Sequence, residues 1–383
     1  MILFKQVNLY NPHPLGKKDV LIAGGKIEKI ADTIDVNEQD VEVVDREGYT
    51  MIPGLIDNHV HITGGGGEAG YASRVPEIQL SNFIQAGITS VIGLLGTDGH
   101  TRSMKNLIAK VKGLKSEGMS AYALTGSYQV PVKTLMRSIE DDMLYIDEII
   151  GAGEIAISDH RSSVPTMGEL KKILSAVHVG GLLSGKGGVL NLHVGSGKDK
   201  LKPITTLIEE TDLPVRKLIP THMNRNETLL EDAIAYSKYY KAPIDFTAYS
   251  HKDDELSAYR VIKRALDAGV DPCLITMSSD GQGSLPVFDE QGNFIKMGVG
   301  SVEALLDNIK KGVLQEKIAL DMVLKTVTSN VARLYHLDGK GKIEEGYDAD
   351  IVVMSENFTL EDVLMHGVFM MRDKTLCKKG LFE

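Results

Sequence analysis

From about residue 51 the chain alternates short apolar runs with amphipathic helical stretches, and this alternation narrows the possible folds more than any other feature of the 383 residues. Strand-like runs are expected near Thr50–Ile56, Ser90–Leu95, Ala121–Thr125, Ile155–Ile157, Val189–His193, Lys217–Pro220, Ile244–Phe246 and Leu274–Met277. Helical patterns fall between them, at Pro76–Ala86, Ser103–Lys115, Ile139–Ile150, Gly168–Val179, Leu229–Tyr240 and Leu256–Ala268, and continue at Val302–Lys311 and Ala319–Leu334. Strands that alternate with helices argue for parallel pairing through βαβ crossovers. Eight such units match the size of a (β/α)8 TIM-like barrel. A doubly wound open sheet is the alternative.

The two ends of the chain read differently. Short strands are expected at Ile2–Asn8, Val20–Ala23, Lys26–Ile30 and Val41–Asp45, with Gly24-Gly25 as a hairpin signal. Gly339–Met354 and Val363–Cys377 return to turns and strands. The expectation is an α/β chain in two parts. Residues 1–50 with 340–383 form a small β-sandwich, and residues 51–339 form an inserted barrel.

Composition excludes several classes. A net charge of −10 opposes general affinity for nucleic acid or for anionic membrane. Two distant cysteines, Cys273 and Cys377, offer neither a disulfide framework nor a Cys-based zinc site. No apolar run reaches the ~18 residues of a membrane span. The N-terminus lacks a basic start, apolar core and small-residue cleavage site, so the expectation is a cytoplasmic protein.

Chemistry concentrates at the strand ends. His59 and His61 stand in an H-x-H pair, and in an extended strand residues i and i+2 share a face, so both rings can reach one metal ion. Glu154 opens the fourth barrel run, His193 closes the fifth, and His222 and Asp280 follow the sixth and eighth. In barrel enzymes the catalytic groups sit at the C-terminal strand ends. Four imidazoles and two carboxylates suit two zinc-class divalent ions, and a carboxylate such as Glu154 can give one oxygen to each. Two such ions activate a shared water and polarise a carbonyl. Asp280 is then placed to take a proton from that water and return it to a leaving nitrogen. Taken singly, each residue has a plainer reading as a packed or surface side chain. His13, His100, His178, His251, His336 and His366 keep that reading, and His160 is expected beside the site without being a ligand.

Two glycine-rich runs invite a phosphate-binding reading and do not meet it. Gly64–Gly67 is not followed by the Lys-Ser/Thr of a phosphate loop. Gly180–Gly187 reads G-x-x-x-x-G-K but ends in Gly187, without the hydroxyl that would hold magnesium. Glycines in the first run, Gly66 among them, are expected to let the backbone approach a substrate.

The H-x-H pair, the bridging residue on the fourth strand, the later His, His and Asp, and the tail EEGYDADIVVM together resemble the amidohydrolase superfamily. PGLIDNHVHITGGGGEAG, AISDHRSS, PTHMNRN and SSDGQGS resemble its isoaspartyl (β-aspartyl) dipeptidases in particular. Many members carry a carboxylated lysine where this chain has Glu154. The resemblance therefore implies two Zn2+ or similar ions with no carboxylated lysine. It implies Glu68 for the substrate ammonium, Arg161 and Arg225 for its carboxylates, and Thr97 and Ser284 as further hydrogen-bonding groups. Tyr128 is expected to serve the developing oxyanion. The implied partners are β-aspartyl dipeptides and copies of the chain itself, in a homo-oligomer such as an octamer. A cyclic amide hydrolase and a metal-free assembly protein are the competing readings.

Overall fold

A computed structural model describes residues 1–36, 40–249, 253–288 and 294–383, so His251 lies outside the described residues. Five strands come first: β1 (Ile2–Tyr10), β2 (Pro14–Ala23), β3 (Lys26–Ala31), β4 (Glu42–Asp45) and β5 (Thr50–Pro53). The central strands are β6 (Leu55–Val60), β7 (Ile88–Gly93), β8 (Ser120–Thr125), β9 (Ile149–Ile157), β10 (Val189–Val194), β11 (Leu218–Thr221), β12 (Ile244–Thr247) and β13 (Ile275–Ser278). A hairpin, β14 (Ser284–Phe288) and β15 (Phe294–Val299), follows, and the chain ends in β16 (Ile351–Met354), β17 (Leu360–Met365), β18 (Val368–Arg372) and β19 (Thr375–Leu376).

Strands β6 to β11 form a six-stranded parallel sheet in chain order, a half-barrel with helices between its strands. The strands are buried on both faces, which is why each reads as an unbroken apolar run. β12 and β13 form a parallel pair tied to both ends of that sheet. The Met223 amide bonds the Asp245 carbonyl, the His61 amide bonds the Gly281 carbonyl, and Val60 bridges Gly281 in parallel. The helices pack Phe83, Leu107, Val111, Leu174, Val177, Leu230 and Ile262 against the sheet in one continuous core.

Where a β-sandwich is expected, strands from both termini form one mixed sheet of nine strands. β5 joins its halves, parallel to β1 and antiparallel to β16. Phe4, Leu9, Val20, Ile22, Met51, Ile351 and Leu364 make a second core there. Among the described residues no helix is long and apolar enough to cross a membrane.

Several expected boundaries move. Thr50–Ile56 is two strands in two sheets, because the chain crosses between them at Gly54, whose amide bonds the Asp350 carbonyl. A Cβ on Gly54 would lie 2.2 Å from Thr89 Oγ1, so the crossing needs glycine. The helix expected over Ile139–Ile150 ends at Tyr145, and the fourth barrel strand begins at Ile149 instead of Ile155. Ile146, Ile149 and Ile150 recur at i, i+3 and i+4, so they extend the helical period although Ile149 and Ile150 open a strand. The helix expected over Ala319–Leu334 is two, Leu320–Thr326 and Ser329–Tyr335, broken at Thr328 with φ −138° and ψ −98°. The P-loop mimic is a helix C-terminus: Met167–Ser184 ends in left-handed Gly185, and Lys186 Nζ bonds the carbonyls of Met143 and Ile146.

The tail motif is anchored electrostatically. Lys340, almost fully buried, places Nζ 2.6 Å from Asp350 and 2.8 Å from Asp348, and Asp350 also accepts from the His366 amide. Lys340→Met leaves Asp350 buried without its cation. The expected cost is about 3–5 kcal/mol, the usual loss when one partner of a buried pair is removed, read as a lower denaturant midpoint at neutral pH.

Candidate active site

β6 sets the site's first two ligands. His59 lies inside the strand and His61 just beyond it, both buried, with ring centroids 5.6 Å apart. Glu154 sits within β9, fully buried, where its strand was expected to begin. Gly153 brings it there with φ +146°, and a Cβ on Gly153 would lie 2.8 Å from the Asn191 carbonyl oxygen. His193, the last residue but one of β10, lies opposite Ala156 of β9 and Thr221 of β11, and His222 follows β11 in a left-handed conformation. Asp280, also left-handed, follows β13.

The four predicted histidine ligands converge on Glu154, and Asp280 joins them through His59 and His61. Its Oε1 lies 2.6 Å from His193 Nδ1 and 3.1 Å from His222 Nε2. Its Oε2 lies 3.4 Å from His59 Nε2 and 3.9 Å from His61 Nε2. Asp280 Oδ1 completes the second set, 3.1 Å from His61 Nε2 and 3.8 Å from His59 Nε2. Two groups with metal-binding geometry share His59: one adds Glu154 and His222, the other adds His61 and Asp280. Both His59 nitrogens, His61 Nδ1, Glu154 Oε2 and Asp280 Oδ1 are buried without a hydrogen-bond partner. Buried polar atoms left this way are rare and call for a ligand. The donor set of imidazole nitrogens and carboxylate oxygens fits two zinc-class ions.

Electrostatics support the same arrangement. Burial alone would raise the Glu154 carboxyl, but His59 and His193 outweigh it and hold it well below the usual range. Burial works against a charged His59, yet Glu154 keeps it up at about 9. His222 is driven down to about 3, chiefly by burial. Asp280 stays at about 2 despite burial, held by the neighbouring imidazole of His61 and the charges of His222 and His59. Burial and the Glu154 charge push the Tyr128 hydroxyl well above its ordinary value, so it remains a donor.

A cavity of about 470 Å³ opens onto these ligands. All the expected substrate residues reach it: Gly66, Glu68, Thr97, Tyr128, Arg161, Arg225 and Ser284. Glu68 accepts from Ser284 Oγ and lies 3.6 Å from Arg161 Nη1. Tyr128 Oη is 2.8 Å from His193 Nδ1, and the Arg161 guanidinium stacks 5.3 Å from the Tyr128 ring centroid. The exposed side chain of His160 reaches the cavity wall without joining the cluster. Arg161 is not the free fork the sequence implies. Its Nε and Nη2 are taken by Asp159, at 3.0 and 2.9 Å, which leaves Nη1 toward the cavity. Arg225 spends Nε on the Val194 carbonyl.

Sequence reasoning missed Asp159, although it stands next to His160 and Arg161 in a run already singled out. It also missed Tyr249 and the hairpin residues Leu285 and Met297, which line the cavity. Asp245 was overlooked as well; it gathers Asn58, Thr221, Thr276 and Ser278 and so ties β6 to β11, β12 and β13 beneath the ligands. A buried aspartate in an apolar strand was the one available signal for it.

Comparison with known proteins agrees with this geometry. The model of the amidohydrolase family matches residues 50–374. A β-aspartyl dipeptidase of Fervidobacterium islandicum AW-1, solved in complex with β-Asp-Leu, is 44% identical, with a TM-score of 0.93 and coverage of 98% of this chain and 97% of that one. Among curated relatives, a dihydroorotase of Carboxydothermus hydrogenoformans is 42% identical over 83 residues, 21% of this chain and 18% of its own. An adenine deaminase of Clostridium botulinum is 24% identical over 98% of this chain and 56% of its own. The matches thus span about half or less of those curated proteins' length. A dihydropyrimidinase of Brevibacillus agri, 18% identical with a TM-score of 0.68 and covering 98% of this chain and 96% of that one, shares the fold. The chain belongs to the amidohydrolase family, on the branch that holds the β-aspartyl dipeptidases.

Proposed function

We propose that this chain hydrolyses the β-aspartyl peptide bond of dipeptides at a two-ion centre. One observation carries the reading: the two oxygens of buried Glu154 face different histidine pairs, at the floor of a cavity lined by Glu68, Arg161 and Arg225. A β-aspartyl dipeptide has one ammonium and two carboxylates, which this acid and these two guanidiniums complement in sign and number. The β12–β13 pair closes the half-barrel in this reading, giving the (β/α)8 barrel whose C-terminal rim carries the site. Zinc is the proposed metal, and a homo-oligomer the proposed assembly.

When bound, two such ions would acidify the attacking water and polarise the scissile carbonyl. His59, His61, His193, His222, Glu154 and Asp280 would hold them. Asp280, ionised at neutral pH, takes the proton of the attacking water and passes it to the leaving nitrogen. Tyr128, kept protonated, donates to the oxygen that gains charge as the carbonyl becomes tetrahedral. Glu68 receives the substrate ammonium, with Ser284 fixing its carboxylate. Arg161 Nη1 and the open edge of Arg225 take the carboxylates.

Three outcomes are expected. The purified protein cleaves β-Asp-Leu but not α-Asp-Leu, carries about two divalent ions per chain, and loses activity to a chelator and regains it with zinc. Ring opening of dihydroorotate without dipeptide turnover would replace the substrate assignment. Glu154→Ala loses most of its bound metal and its turnover by elemental analysis and rate assay, while Glu154→Lys recovers turnover only with bicarbonate present. Arg225→Lys lowers kcat/KM for β-Asp-Leu by about 10- to 100-fold, mainly through KM, as loss of a charge-assisted hydrogen bond of about 1.5–3 kcal/mol requires.

A further inference from the structure

His193 Nε2 has three polar neighbours that want different things from it. Asp159 Oδ2 lies at 2.9 Å, Arg161 Nη2 at 3.2 Å and Arg225 Nη2 at 3.3 Å. The arginines can only donate, and the ionised carboxylate can only accept. A neutral imidazole carries one proton. If the arginines prevail, Nε2 accepts and the proton moves to Nδ1, the nitrogen 2.6 Å from Glu154 Oε1. If Asp159 prevails, Nε2–H donates outward and the Nδ1 lone pair faces the centre. A ligating nitrogen must be unprotonated, so only the second arrangement leaves His193 competent.

The local structure favours Asp159. Its contact is the shortest of the three, and its carboxylate is buried. The same group accepts from the Arg161 backbone amide at 2.8 Å, from Nε at 3.0 Å and from Nη2 at 2.9 Å. These bonds take one Nη2 hydrogen for the carboxylate and leave only the other, at the longer 3.2 Å, for the imidazole. They also leave Nη1 directed to the cavity, 3.6 Å from Glu68. We infer that Asp159 is a positioning residue that selects the Nε2–H form of His193 against two arginines and, with the same carboxylate, aims Arg161 at the substrate. Ion binding and substrate binding then share one anchor. The inference rests on the two-ion reading above.

Asparagine is the discriminating substitution. Its oxygen stays with the Arg161 amide and Nε, which need an acceptor, so its N–H2 turns toward His193 Nε2. A third donor then faces that nitrogen and drives the proton to Nδ1. The experiment is zinc titration of the full-length wild type, Asp159→Asn, Asp159→Ala and Arg161→Met in competition with a fluorescent chelator, with KM for β-Asp-Leu measured in parallel. One ion should bind 10- to 100-fold more weakly in Asp159→Asn, and Asp159→Ala should also be weakened, to no greater extent. Arg161→Met should keep both ions at wild-type affinity and raise KM. Wild-type affinity for both ions in both Asp159 variants would overturn the inference. The ion count of the wild type tests the two-ion reading separately, because the inference is read from the difference between variants and wild type.

Discussion

A single buried carboxylate organises this molecule. Glu154 is fully removed from water, and four imidazoles and a second carboxylate close around it. An isolated buried charge is prohibitively costly, and it persists only where partners repay the lost hydration. The partners come from β6, β10 and the turns after β11 and β13, so the charge is satisfied only when distant segments have assembled. The same convergence that makes the carboxylate tolerable makes it able to serve two ions at once.

The surrounding structure holds that arrangement in register. Gly153 lets β9 run against the Asn191 backbone, and the cross-strand alignment sets His193 beside Ala156 and Thr221. Asp245 ties four strand segments below the ligands, and Asp57 accepts from the Ser279 amide and hydroxyl beside Asp280. Burial pushes Asp57 up to about 7, so the floor of the site carries less charge than its composition implies. Above the ligands, Arg102 bonds the carbonyls of Thr63, Gly65 and Val75 and stiffens the glycine loop that carries Glu68. The loop's left-handed Gly64 packs so closely that a Cβ would lie 1.9 Å from the Val75 carbonyl oxygen. Its glycines serve close backbone packing beside the cavity, which is a different use from cradling phosphate.

Much of this was legible in the residues. The H-x-H spacing places two rings on one face by strand geometry alone, and the later His, His and Asp stand after apolar runs of strand length. The residues proposed to bind substrate were reached through motif resemblance, and the cavity gathers all of them. Legibility failed where an apolar run has two possible homes. Thr50–Ile56 suits either of two sheets, and Ile146, Ile149 and Ile150 keep a helical spacing although the last two belong to a strand. The hairpin after Asp280 went unread because its residues show no strong alternation, and Leu285 and Met297 went with it.

What the sequence by itself determined was the candidate chemistry: the types of metal-binding side chain, their order along the chain, and a glutamate at the position expected to bridge two ions. Those are local properties, written in residue identity and short spacing. Only the tertiary structure decided which oxygen of Glu154 meets which histidine, that Arg161 gives one edge to Asp159, and that three groups compete for His193 Nε2. Apart from the Asp159–Arg161 pair, whose side chains are set by the loop they share, these contacts join residues about 30 to 95 positions apart, which strand register and burial set and no local pattern encodes.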